Sequence, residues 1–390
     1  MNNSLKIYML ALISFLVGTS QFSIVGMLDQ VAASASVSVS TAGQLITVFA
    51  LGNAVGTPLI MIVTAKMNQR NQLLMALGII VLGIAFMLVL PGFGFLMVSR
   101  VIIGIGTGVF VVSAYAIAAK LASPGRQGGA MSTVAMGYSS SLVFGVPIGR
   151  IVAASYDWKS IFWAIGILSL LAVFVVASTI PSLIGDSAVP LRNRFSHLKN
   201  PRITITLAVT FFVFINYSVI NTYIAPYLTS ALPTMTDQIS FILLAMGIAS
   251  LVGSRLGGFM ADRLGTIRTI SMSMVVQIVA LVLLAINPGW IVVTIPLLMI
   301  WEIACWTFGP TQNLNLVSLA PEASGILLSL NSSFVQLGFA AGAGIGGVTV
   351  GIWSIMDITW VSSITVLIAA VLSMITARLS RSFSKKLMIK

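Results

Sequence analysis

Charge is what this sequence has least of. Only 7% of its 390 residues are Asp, Glu, Lys or Arg, and only eight are acidic. Soluble domains carry roughly 25%, so an ordinary soluble fold is excluded. The one cysteine, Cys305, rules out an internal disulfide. With one cysteine and one histidine, His197, no Cys/His cluster can form to hold a metal. A phosphate-cradling P-loop is absent, so ATP is not the evident energy source. No nucleophile–base pair stands out either. The chain reads as a non-enzyme that requires no cofactor.

What is abundant is apolar: 58% of the residues, with a mean hydropathy of +1.08. A helix needs about 20 apolar residues to cross the hydrocarbon core. Twelve stretches qualify, near 5–28, 41–64, 72–90, 95–119, 129–154, 160–180, 203–228, 238–260, 269–286, 290–316, 324–350 and 355–377. The fold class expected is an all-α membrane protein. Residues 1–180 form an N-terminal six-helix lobe, 181–202 a cytoplasmic linker, 203–377 a second six-helix lobe and 378–390 a basic tail. The first stretch precedes Ala33-Ser34-Ala35, which resembles a signal cleavage site. Its apolar run is too long for a signal peptide, so it reads as a retained helix.

The net charge of +12 is distributed by loop. Lys66, Arg70, Lys120, Arg126, Arg263, Arg268 and the tail lie at alternate connections. Asp29, Asp157, Asp237 and Asp357 lie at the opposite ones. This pattern orients a membrane protein with both termini cytoplasmic and gives no reason to invoke nucleic acid. The tail suits anionic lipid.

The halves repeat at a spacing of 197. The shift carries Gly56 to Gly253, Pro91-Gly92 to Pro288-Gly289, and Gly145 and Gly149 to Gly342 and Gly346. Duplicated helical units with pseudo-two-fold symmetry are a transporter architecture, with a cavity expected between lobes.

Short motifs sharpen this. Gly257-Gly258-Phe259-Met260-Ala261-Asp262-Arg263-Leu264-Gly265 resembles the signature loop of the major facilitator superfamily. Gly258, Asp262, Arg263 and Gly265 fit it. The resemblance implies an inner-side latch in which Asp262 caps a neighbouring helix and pairs with a cation. The first-half copy is degraded, with Ala65 in place of the acid. Arg100 followed by Gly104 and Gly108 resembles the family's helix-4 motif, and implies a part in the proton or substrate path. Gly145, Pro147 and Gly149, followed by Arg150, resemble the helix-5 motif of its antiporters. They permit a kink and close packing against a neighbouring lobe helix. Asp157-Trp158-Lys159 resembles a further family element.

Glu302 is the one acid deep in an apolar helix, and a carboxyl there can carry a proton. The competing reading is a structural carboxylate paired with a hydroxyl or indole. Trp306 and Asn313 continue its face. Gln21 occupies a place where export relatives often have an acid, and it cannot carry a proton. Gln21, Asn53, Tyr217, Asn221, Trp306, Asn313, Asn331 and Gln336 are the candidate substrate contacts, favouring a polar, largely neutral ligand. The resemblance implies a monomeric drug:proton antiporter in a bacterial inner membrane that exports a small organic solute. Alternatives are a narrow purine nucleoside or sugar exporter, an uncoupled facilitator and a non-transporting sensor.

Overall fold

The computed structural model describes residues 2–64, 66–123, 127–182, 199–287, 289–320 and 324–388. His197 and most of the expected linker lie outside them, as does Ala65. By contact the chain divides into two compact units. One holds Met1–Ala188 with Ile224–Pro226 and Asp237–Leu244; the other holds Val189–Tyr223, Tyr227–Thr236 and Ala245–Lys390.

The first unit contains α1 (Asn3–Gly26), α2 (Leu28–Ser34), α3 (Val39–Leu51), α4 (Thr57–Val63), α5 (Gln69–Val89), α6 (Phe93–Leu121), α7 (Gln127–Ser140), α8 (Val146–Ser155) and α9 (Lys159–Thr179). The second half of the chain contains α10 (Pro201–Thr222), α11 (Ile224–Ala231), α12 (Ile239–Leu264), α13 (Thr266–Ile286), α14 (Ile291–Leu319), α15 (Ser324–Ile352) and α16 (Ile358–Met388). Among the described residues, eleven helices are long and apolar enough to cross a membrane. The remaining expected stretch, 129–154, is also helical. It runs as α7, a π turn and α8, and its glycines and serines lower its hydropathy. The last helix continues without a break into the tail.

Local chemistry explains the ends and breaks. Gly92 and Gly289, at the two repeated turns, have φ of 99° and 88°, a region costly for any side chain. Asn68 and Asn200 accept from the N–H of Arg70 and Arg202, at 2.9 and 3.0 Å, capping α5 and α10. The first and seventh spans break at nearly corresponding places. The break residues, Met27 and Tyr223, have φ/ψ of −127°/22° and −108°/15°.

Two spans of the first unit are interrupted by π turns, Gly52–Gly56 and Ser141–Gly145. Each is followed by proline, at Pro58 and Pro147. Proline has no N–H for the carbonyl four residues back and crowds it, so the preceding turn widens. The 197-residue shift places Arg255 and Gly344 at the corresponding positions. There α12 and α15 run unbroken over 26 and 29 residues.

Glycine lets the helices of each half meet closely. A Cβ on Gly149 would lie 3.0 Å from Met27 Cε and Ser23 Cβ of the first span. Its counterpart Gly346 would place one 2.7 Å from the Tyr223 ring. Gly145 meets Thr19 and Gly342 meets Ser218 in the same way. The packing partner of the Gly145–Gly149 motif is therefore the first span of its own unit.

Candidate functional site

Glu302 lies twelve residues into α14 and is only 3% exposed. Its Oε1 accepts from Trp306 Nε1 at 2.8 Å, one turn on, and from Tyr217 Oη at 3.4 Å, on α10. Its Oε2 is buried with no hydrogen-bond partner among the described residues. One oxygen thus fits the structural reading of a carboxyl held by a hydroxyl and an indole. The other is left over.

Rings enclose this carboxyl. Tyr217 stacks on Trp301, with centroids 5.8 Å apart and planes 14° apart. It meets Trp306 and Phe339 edge-on at 6.0 and 5.7 Å. Phe214 lies 5.6 Å from Phe339 and 6.4 Å from Phe308. Such edge and offset contacts are favoured by ring quadrupoles.

Behind Trp301 is an amide pair. Asn216 Nδ2 donates to Gln277 Oε1 at 2.8 Å and points to Cys305 Sγ at 3.7 Å. Trp301 Nε1 donates to Asn216 Oδ1 at 3.4 Å. Gln277 Nε2 is buried without a hydrogen-bond partner among the described residues.

A separate polar cluster joins α10, α14 and α15. Asn331 Nδ2 donates to Asn313 Oδ1 at 2.8 Å, and Thr210 Oγ1 to Asn331 Oδ1 at 2.7 Å. Gln312 Nε2 donates to the Thr206 carbonyl at 2.7 Å and to Thr210 Oγ1 at 3.0 Å. Asn313 therefore does not continue the Glu302 cluster. It lies eleven residues along α14, about 16 Å at 1.5 Å per residue. Asn221 and Gln336 are half-buried and make no side-chain hydrogen bond among the described residues.

In the first unit the buried ion is a cation. Arg100 is 1% exposed. Its guanidinium donates to the carbonyls of Ser20, Gln21 and Leu45 at 2.9, 3.0 and 3.4 Å. It also lies 4.6 Å over the Phe49 ring. The expected interior position holds, and snorkelling to the surface does not occur. Every bond it makes goes to backbone of α1 and α3, so its geometry is that of a clamp. Gln21 Oε1 accepts from Tyr138 Oη on α7. Asn53 is half-buried in the first π turn, where its Oδ1 would lie 2.8 Å from a Cβ on Gly108.

Arg150 reaches back to the break in the first span. Nη1 donates to the Gly26 carbonyl at 2.9 Å and to both Asp29 oxygens at 3.1 and 3.2 Å. Sequence reasoning read Asp29 only as an outer-loop charge and missed this pair. It missed Tyr138 as well. The one available signal was the arginine ending the Gly145–Gly149 motif.

The signature-loop residues stand as follows. Gly258 is on α12 with open space beside it. Gly265 makes the turn with φ 84° and is itself the N-cap of α13. Asp262 and Arg263 are exposed, and Arg263 lies 4.5 Å over the Phe259 ring. Asp262 makes neither the expected cap nor an ion pair among the described residues. It is still on the last turn of α12, and Gly265 rather than Asp262 stands at the N-cap of α13. Arg70 donates to the Ala177 carbonyl.

Repeated bundles of membrane-crossing helices, each holding buried polar groups, define a membrane transporter. The chain belongs to the Major Facilitator Superfamily, whose model matches residues 10–343; proteins of this family are transporters, not enzymes. It is 44% identical over 375 residues to the uncharacterized MFS-type transporter YbcL of Bacillus subtilis (strain 168), covering 96% of each chain. Its fold matches a bacterial homolog of the human lysosomal transporter Spinster (TM-score 0.76, 15% identity, covering 96% and 97% of the chains). It also matches the nucleoside transporter NupG (TM-score 0.76, 14% identity, 96% and 100%). A third match is the human organic anion transporter MFSD10 (TM-score 0.69, 15% identity, 95% and 99%).

Proposed function

We propose that this chain is a proton-coupled exporter. It moves a small organic solute across the cytoplasmic membrane of a bacterium by alternating access, with both termini in the cytoplasm. Glu302 carries the proton. The observation behind this is the unpartnered Oε2 of a buried carboxyl. A buried charge must be paired or neutralised, and no described Lys or Arg bonds to Glu302. The proton is the simplest partner that can come and go. Gln21, which cannot ionise, leaves the first span without that role. Arg100 then supports the cycle by holding α1 and α3 together, with no proton of its own to move.

Tyr217 and Trp306 contact the exported solute in this reading. Gln21, Asn53, Asn221 and Gln336 offer further polar contacts. Asn313 and Asn331, which bond to each other, hold helices together. Gly258, Asp262, Arg263 and Gly265, with Gly145, Pro147 and Gly149, act in the conformational change.

The test uses proteoliposomes with a pH-sensitive dye inside. Sugars, nucleosides and common drugs are added in turn. Substrate-evoked proton movement is expected, and is abolished in Glu302→Gln. Labelled solute crossing with no proton movement would make the chain a facilitator and sink the coupling claim.

A further inference from the structure

Gln277 interrupts a largely apolar stripe of α13. It is completely buried, between Met274 and Leu281 on the same helical face. Its Oε1 accepts from Asn216, while its Nε2 has no hydrogen-bond partner among the described residues. Burying an amide with one N–H unspent costs stability. Leucine would fill the same stripe without that cost, so packing alone does not explain a glutamine at this place.

The direction of its bonds does. An indole N–H can only donate. Trp301 Nε1 points at Asn216, so the Asn216 side-chain oxygen must turn toward α14 and its Nδ2 away from that indole. Nδ2 then needs an acceptor, and Gln277 Oε1 supplies one at 2.8 Å. Ser362 on α16 steadies the backbone of the same asparagine by donating to its carbonyl at 3.4 Å. Trp301 is thereby held at its edge by Asn216 and at its face by Tyr217, whose ring lies 14° from parallel. Two fixed points set the plane of a ring. The Tyr217 hydroxyl reaches Glu302 Oε1 at 3.4 Å, beyond the usual length of such a bond. A small tilt of the ring breaks a bond of that length.

We infer that Gln277 is a positioning residue: through Asn216 and Trp301 it holds the Tyr217 hydroxyl on the carboxyl of Glu302. It acts through these side chains rather than on the carboxyl directly. The inference rests on the proton-carrier reading above and names what sets the hydrogen bonding of the carrier. In the protonated form Oε1, which accepts from Tyr217 and Trp306, is the C=O oxygen, and Oε2 bears the proton. Within its own unit, the titratable groups that face this carboxyl among the described residues are Tyr217 on α10 and Cys305 three residues along α14. Gln277 from α13, Phe339 from α15 and Ser362 from α16 do not ionise.

The experiment records infrared difference spectra between high and low pH on the full chain in proteoliposomes, with no solute added. The protonated-carboxyl band that is missing in Glu302→Gln belongs to Glu302. A C=O that accepts fewer hydrogen bonds vibrates at higher frequency. The band is expected to rise in Tyr217→Phe and by the same amount in Gln277→Leu. The double variant should show no further rise, because both changes remove one and the same bond. Trp301→Phe, which keeps a ring and loses the N–H, should match Gln277→Leu. A band at the wild-type frequency in Gln277→Leu, or in Trp301→Phe if the leucine variant does not fold, would overturn the positioning role and leave the proton carrier standing. So would a further rise in the double variant, since Gln277 would then reach the carboxyl by another route. A wild-type spectrum with no Glu302 band would remove the carrier reading and this role with it.

Discussion

The two halves descend from one pattern and bury opposite charges. In the first, Arg100 is sealed inside and spends its donors on three backbone carbonyls. In the second, Glu302 is sealed inside with one oxygen unspent. The 197-residue shift would place Arg100 at Leu297 and Glu302 at Ile105, so neither ion has a counterpart. The breaks differ too. The first half has two π turns ahead of prolines, while the corresponding helices of the second are whole. The common part is the glycine packing that joins the first span to the fifth and the seventh to the eleventh. Shared packing thus carries divergent ions: a clamping geometry in one half and, in the proposed reading, the proton carrier in the other.

The sharpest way to break this comparison is to remove the clamp. Arg100→Ala should destabilise the protein by about 3 kcal/mol or more, because three backbone carbonyls lose a charged donor and each such bond is worth about 1.5–3 kcal/mol, read as a large fall in melting temperature in detergent. If stability held and only proton movement failed, Arg100 would belong to the coupling machinery instead. Next in size is the exchange of prolines between halves. Arg255→Pro, at the position matching Pro58, should cost about 3 kcal/mol, because α12 has no widened turn to receive it. Pro58→Ala should cost less than about 1 kcal/mol in stability but slow transport, if the π turn is a hinge. Equal losses would show that the breaks are incidental.

Smaller effects sharpen the picture. Trp306→Phe keeps the ring and removes a donor to the carboxyl. It should weaken solute binding or shift coupling by about 1.5–3 kcal/mol, the worth of a hydrogen bond to a charged group, measured as substrate-evoked proton flux. Asp29→Asn should cost no more than about 1 kcal/mol, because Asp29 is 30% exposed and solvent screens its pair with Arg150.

Much of this arrangement was legible in the residues. Apolar runs of about 20 residues read as membrane helices, and a repeat without insertions predicts the same succession of spans twice. Gly92 and Gly289 could be placed because few other residues take their φ. Burial of Arg100 followed from the cost of a charge in lipid. Its partners did not, because a backbone carbonyl has no residue identity to read. Tyr138 was hidden for a related reason. Whether a phenol reaches Gln21 depends on how α7 settles against α1, and a glycine-rich helix can settle in several ways. Asn313 and Asn331 read as ligand contacts because an unpaired amide and a paired one look alike in sequence. Glu302 stood out by scarcity alone. That only one of its oxygens is occupied is a fact of packing.

The central claim is that one carboxyl couples solute to proton. It is tested most directly by counting protons moved per solute in proteoliposomes of the wild type, Glu302→Asp and Glu302→Gln. The account predicts the same ratio for wild type and Asp, with a slower rate in Asp, and no proton movement in Gln. Proton movement in Glu302→Gln at the wild-type ratio would contradict it.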